Sequence, residues 1–308
     1  MEVYVLNKEG KPLMPCKPAI ARLLLKEGKA KCIRRTPFTI KLLVDTTEYK
    51  QEVVAGMDTG SKTIGCAATA NGKVVYQSEV QIRQDVSKKM EQRRNMRRAR
   101  RWRNCRRRPK RFSNRTRKKG WLPPSIKAKV DMRISLIKSL LAIYPVAEFA
   151  VEDTKIDGNK LKSKDGRQYF TWVMTGKTKL YDFLKTRGDL TLYKPEDTDY
   201  ARLECGLVKT RKKGELVFTS QAVDALALCW LLFGTENLEV TSFTVWRRPD
   251  IPKRQLYRLE PSKGGIRSPY GGSVAQGFKK NTVVWYKGKL YRTGGSTKNR
   301  LSLHPFDF

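Results

Sequence analysis

The sequence predicts an α+β protein: a central mixed domain with a small domain before it and a small, mostly β module after it. Three observations carry this. Three strand-like runs follow one another at 53–57, 63–70 and 74–82, the last two joined by Asn71-Gly72, a strong hairpin signal. Helical patterns follow, at 124–143 with a helical apolar period and at 219–233 with apolar residues almost all round. From Trp246 onward Gly and Pro rise, and short β-like runs such as Val283-Val284-Trp285-Tyr286 lie between turns.

Along the chain, residues 1–50 hold a strand at 3–6, a corner with Pro12, Pro15 and Pro18, a helix-like stretch with Ala19, Ala21 and Leu23–Leu25, and a strand at 38–44. The meander occupies 51–82. Residues 83–120 are dominated by basic residues, with 16 Lys or Arg and no acid across 93–119. In 121–200 the helix carries Ile126, Val130, Ile134, Ile137, Leu140 and Leu141, and Pro145 closes it. A short buried strand at 146–151 ends in Glu152, 158–175 reads as a loop, Tyr181, Phe183 and Leu184 suggest a short helix, and 190–193 a strand. The apolar helix falls in 201–246, and 247–308 is the C-terminal module. No internal repeat is visible.

Composition narrows the function. The 308 residues hold 65 Lys and Arg against 29 Asp and Glu, a net charge of +36. Self-repulsion at that level calls for a polyanion, so nucleic acid is the expected partner and an anionic membrane surface the weaker option. No apolar run approaches the ~20 residues of a membrane span, and the N-terminus MEVYVLNKEG does not read as a signal peptide. The six cysteines are scattered without a C-x-x-C pair, which points to reduced thiols in a cytoplasmic protein rather than to zinc or disulfides. Cys66 and Cys229 lie in apolar runs as small core residues. The single histidine is His304.

Three acids stand in apolar surroundings: Asp58 and Glu152 at strand ends, Asp224 inside the apolar helix. A buried carboxylate must be paired, protonated or metal-bound. For each alone, a salt bridge to one of the many cations is the plain reading. Together they fit an RNase H-like order, in which the first strand of the meander and the fourth strand lie side by side at the sheet centre. That order would bring Asp58 and Glu152 together, with Asp224 closing the site. Such a cluster suits two-metal phosphoryl transfer: hard Mg²⁺ takes oxygen ligands, and ions roughly 4 Å apart activate a water and stabilise the leaving oxygen. Two Mg²⁺ are expected, with Mn²⁺ as a substitute.

The motifs around these acids resemble a known family. GMDTGSKTIG (56–65), FAVEDTKID (149–157) and SQAVDALAL (220–228) resemble the three RuvC motifs of the IscB group of insertion-sequence-encoded, RNA-guided nucleases. The stretch 11–42, with Pro12-Leu13-Met14-Pro15, resembles that group's leading domain. The arginine run resembles its bridge helix, and 253–272 its C-terminal module contacting guide RNA and the duplex motif beside the target. The resemblance implies a split RuvC domain interrupted by an arginine-rich bridge helix. Two departures stand out. No histidine lies between Glu152 and Asp224, where the full-length members carry an HNH nuclease, so the chain resembles the HNH-less branch, IsrB. Gln221 stands where the third motif often has histidine, and an amide cannot act as a general base near neutral pH.

Arg93, Arg94, Arg97, Arg98, Arg100, Arg101, Arg103, Arg106, Arg107, Arg108, Lys110 and Arg111 are the candidate nucleic-acid contacts. Against a solvated tail stand Met96, Ala99, Trp102 and Cys105 at a spacing of three, a weak apolar stripe. Like charges at i,i+4 weaken such a helix alone, and phosphates reverse that effect. Pro109 is expected to end or kink it. Trp121, Tyr169 and Trp172 are candidates for base stacking or for core packing.

The expected activity is that of a Mg²⁺-dependent nickase: one RuvC-like site hydrolysing the non-target strand of a guide-matched duplex next to a short flanking motif. The expected partners are a large structured guide RNA and a double-stranded DNA target, with no protein oligomer and with nucleoid association when bound to DNA. The alternatives are a guide-independent RuvC-like resolvase or transposase, and a non-enzymatic structural RNA-binding protein.

Overall fold

The computed structural model describes residues 2–47, 49–102, 116–117, 119–154, 172–210, 216–234, 243–247, 259–260, 265–266, 274–297 and 299–305. The chain divides into two compact units, Met1–Arg247 and Arg248–Phe308.

The first unit opens with β1 (Tyr4–Leu6), α1 (Pro18–Lys26), β2 (Ala30–Arg35) and β3 (Phe38–Leu42). These strands form a small sheet in the order β1-β3-β2 with a core of Val3, Val5, Ala21, Ala30, Ile40 and Leu42. Pro18 starts α1, where its missing N–H costs nothing.

The meander follows as β4 (Val53–Asp58), β5 (Thr63–Ala70) and β6 (Lys73–Gln81). Asn71 and Gly72 both have positive φ, as the tight turn requires. The chain continues through α2 (Val86–Trp102), α3 (Pro124–Leu141), β7 (Val146–Glu152), α4 (Trp172–Lys185), β8 (Asp189–Tyr193), α5 (Pro195–Glu204), α6 (Ala222–Phe233) and β9 (Thr244–Trp246). One six-stranded mixed sheet results, in the order β8-β7-β4-β5-β6-β9. The first strand of the meander pairs in parallel with the fourth, β4 with β7, as the RNase H-like order demands. Several details differ from the sequence reading, beginning with β2, whose largely exposed, basic residues carry no apolar alternation. Helix α4 begins at Trp172, inside the stretch read as a loop. Helix α5 and strand β9 were not anticipated, because ten mostly polar residues and a three-residue edge strand carry little periodicity.

The two faces of this sheet are covered differently. On one side Met57, Ile64, Cys66, Val80, Phe149 and Val151 meet Leu136, Ile137 and Leu140 of α3 and Leu180 and Leu184 of α4. On the other, α6 lies directly on the backbone. A Cβ on Gly56 would come within 2.0 Å of the Ala225 carbonyl oxygen, and one on Gly65 within 1.8 Å of that of Gln221. Only glycine permits so close an approach. Cys66 and Cys229 are buried free thiols.

Helix α2 carries its apolar stripe in the open: Met96 is 71% exposed and Trp102 92%. Arg93, Arg94, Arg97, Arg98, Arg100 and Arg101 lie on this helix. Arg103, Arg106, Arg107, Arg108, Pro109, Lys110 and Arg111 lie outside the described residues, as do Tyr169 and most of 253–272. Trp121 and Trp172 pack edge to face on each other, ring centroids 5.5 Å apart, with Arg117 over Trp121. Among the described residues no helix is long and apolar enough to cross a membrane.

The second unit contains β10 (Leu259–Glu260), β11 (Gly265–Ile266), β12 (Val274–Ala275), β13 (Phe278–Lys279), β14 (Val283–Tyr286), β15 (Lys289–Thr297) and β16 (Arg300–Pro305). The last three form an antiparallel sheet, and β10–β11 and β12–β13 are hairpin-like pairs.

Candidate active site

The site lies at one end of β4 and β7. Met57 pairs with Val151, so one step further places Asp58 beside Glu152 on the same face. Asp58 also pairs with Gly65, Gly65 with Glu79, and Glu152 with Tyr193. One transverse row therefore reads Glu79, Gly65, Asp58, Glu152, Tyr193. Helix α6 sits over the gap left by Gly65 and brings Asp224 to the same face.

Burial makes the cluster electrostatically costly. Asp58 is 5% exposed and Asp224 1%. Burial raises the Asp58 carboxyl well above its ordinary range, and the charges of Glu152 and Asp224 push it further. The Glu152 carboxyl is raised too, first by burial and then by Asp224, while Lys209 and a hydrogen bond from Thr198 oppose the rise. Asp224 is held by two cations: Arg202 Nη1 donates to Oδ1 at 3.0 Å, and Lys209 Nζ donates to Oδ2. No ion pair reaches Asp58 among the described residues.

A fourth carboxylate, Glu79, is fully buried on β6. Its Oε2 accepts the backbone N–H groups of Gln221 and Ala222 at 3.1 and 3.0 Å. It therefore caps α6 from across the sheet, a task the side chain of the N-cap residue Gln221 does not perform. Burial lifts Glu79 to about 7, against the hydrogen bonds from these N–H groups. The Gln221 side chain turns instead to Thr63, whose hydroxyl donates to Oε1 at 3.0 Å.

The loops after the two acid-bearing strands are fixed from the opposite layer. Arg133 of α3 is buried, and its Nη2 donates to the carbonyls of Thr59 and Gly60 at 2.7 and 3.2 Å. Asp153 follows Glu152 and accepts from Lys177 Nζ at 2.9 Å and from the Tyr181 hydroxyl at 2.8 Å. Lys177 also donates to the Thr154 carbonyl.

Sequence reasoning named Asp58, Glu152, Asp224 and Gln221, and the structure gathers all four at this end of the sheet. It missed Glu79, Arg133, Lys177, Arg202 and Lys209. Arg133 left a readable trace, since it stands in the apolar series Val130, Arg133, Ile137, Leu140.

The donor set suits a divalent ion in its chemistry: hard carboxylate oxygens, with Asp58 pushed up by burial and by the charges of Glu152 and Asp224. As placed, Asp224 is braced by Arg202 and Lys209. Among the described residues no group of three or more His, Cys, Asp or Glu is disposed to hold a metal ion.

The protein-family model described as RRXRR protein matches residues 3–170. The chain belongs to the RRXRR family. That match spans the meander, the basic helix and the Glu152 strand, more than half of the sequence. No curated protein matches this RRXRR chain. Among solved structures, RuvC of T. thermophilus in complex with a Holliday junction substrate is 16% identical with a TM-score of 0.32, covering 60% of this chain and 97% of that one. A Cas12f1–sgRNA–target DNA complex is 13% identical with a TM-score of 0.27, covering 57% and 38%. Scores this low carry no weight alone, and the fold rests on the strand order and pairing above.

Proposed function

We propose that this RRXRR protein is an RNA-guided DNA nickase of the IsrB kind, hydrolysing one strand at a RuvC-like site. One observation carries the reading: parallel pairing of β4 with β7 sets buried Asp58 beside Glu152, under Asp224, in a chain of net charge +36. A polyanion-binding protein gains nothing from buried acids at its surface unless cations join them to phosphate.

Asp58, Glu152 and Asp224 would hold two Mg²⁺ ions, which when bound supply an activated water and stabilise the leaving oxygen. The protein's own groups orient these acids. Arg133 fixes the turn after Asp58, the Asp153–Lys177 pair fixes the turn after Glu152, and Glu79 seats the helix that carries Asp224. The arginines of α2 suit phosphate through their planar forks. Sequence choice would fall to base pairing between a large structured guide RNA and DNA. With no histidine between Glu152 and Asp224, one cutting centre serves one strand, the non-target strand.

The test is a strand-resolved cleavage assay with co-purified RNA, Mg²⁺ and a duplex matching that RNA. Only the non-target strand is cut, and Asp58→Asn abolishes the cut without loss of DNA binding. Gln221→His keeps or raises the rate. Target-strand cuts that depend on Asp58 would sink the single-site mechanism. Co-purification of no RNA would favour a guide-independent resolvase or transposase, and a mixed RNA population a structural RNA-binding protein.

A further inference from the structure

Asp224 has two cationic partners that differ in kind. Arg202 lies on α5 and is anchored twice, by Asp224 and by Asp199. Its guanidinium is little exposed and braces Asp224 from one side. Lys209 lies beyond α5, is partly exposed, and bonds Asp224 Oδ2. Its charge opposes the upward shift of both Asp58 and Glu152. A single ammonium thus bonds Asp224 directly and acts through its charge on the two acids beside it. An ammonium on a four-carbon stem is compact, mobile and strongly hydrated, so it can leave for solvent in a way the doubly held guanidinium cannot.

We propose that Lys209 is a built-in counter-ion of the carboxylate cluster, occupying Asp224 Oδ2 until a hard divalent ion displaces it. This rests on the metal-binding reading of the same acids. Lys209 then has two effects. It stabilises the metal-free protein by neutralising part of a buried negative cluster, and it weakens metal binding by competition. Metal-free protein is kept folded, and the site fills only when ion concentration, or a bound phosphate, tips the exchange.

The test uses the full chain freed of RNA at high salt, with Mn²⁺ binding read from loss of the free-ion electron paramagnetic resonance signal. Lys209→Met, which keeps the stem and removes the charge, binds Mn²⁺ about tenfold more tightly than wild type. Lys209→Arg, which keeps a charge, stays near wild type. Without metal, Lys209→Met melts at a lower temperature, and saturating Mn²⁺ closes the gap. Should Lys209→Met not fold without metal, Lys209→Gln is measured instead, with the same tightening expected. Unchanged or weaker Mn²⁺ binding in the neutral variants overturns the proposal. Asp58→Asn separates the two levels: if it binds Mn²⁺ as wild type does, the acids are not the metal site and the nuclease reading itself fails.

Discussion

The two faces of the central sheet solve opposite problems. The face under α3 and α4 is filled by large side chains, among them Ile137, Leu140, Phe149 and Leu180, and is held by apolar burial. The face under α6 is nearly bare: Gly56, Gly65, Ala67 and Ala225 let helix backbone rest on strand backbone. The first face stabilises the fold, and the second leaves room at its end for acids that destabilise it. Separating the two lets one sheet carry a costly site on one side and most of its hydrophobic stabilisation on the other.

The sharpest test of that contrast is Gly65→Val. The Gln221 carbonyl is backbone and cannot step aside, so the variant loses about 3 kcal/mol or more, read by chemical denaturation. It also lifts the helix that carries Asp224, so under the proposed function the remaining folded molecules lose metal binding. On the opposite face, Phe149→Ala costs a similar ~3–5 kcal/mol, yet leaves activity per folded molecule near wild type. Equal loss of activity per folded molecule in both variants would mean the two faces are not separable.

Glu79→Gln separates charge from shape. The native state raises Glu79 from 4.5 to about 7, so it binds a proton more tightly than the unfolded chain. Its contribution is present below about 4.5 and is lost as pH climbs through about 7, a swing of roughly 3 kcal/mol. The amide keeps an acceptor for the α6 N–H groups without the buried charge. Glu79→Gln is therefore more stable than wild type at pH 8, with the difference vanishing near pH 4, measured by denaturation across pH. Smallest in stability is Arg97, Arg98 and Arg101 to Gln on exposed α2, which leaves the melting temperature unchanged. It flattens the log–log salt dependence of RNA binding by about 2–3 units. An unchanged slope would mark that helix as a solvated arm.

The same contrast explains what could be read from the sequence. Large apolar residues at helical and strand spacing gave away α3, α6 and the central strands β4 to β7, and acids at strand ends gave away Asp58 and Glu152. Glu79 was hidden by a register shift. Counting outward from the Asn71-Gly72 turn pairs Gly65 with Ser78, but the irregularity between Ala68 and Thr69 advances the pairing by one and puts Glu79 opposite Gly65. A bulge of one residue moves a side chain to the other face, and nothing local announces it. Arg202 and Lys209 were lost among 65 cations, since only tertiary folding selects which of them meets Asp224.

The parallel pairing of β4 with β7 joins residues as distant in the chain as Met57 and Val151. During synthesis the meander and the basic helix leave the ribosome well before β7 does. Closing so long a loop is slow compared with forming a hairpin. Asp58 therefore waits without Glu152 while the arginines of α2 have already emerged, so under the proposed function the order of emergence favours RNA recognition before the capacity to cut.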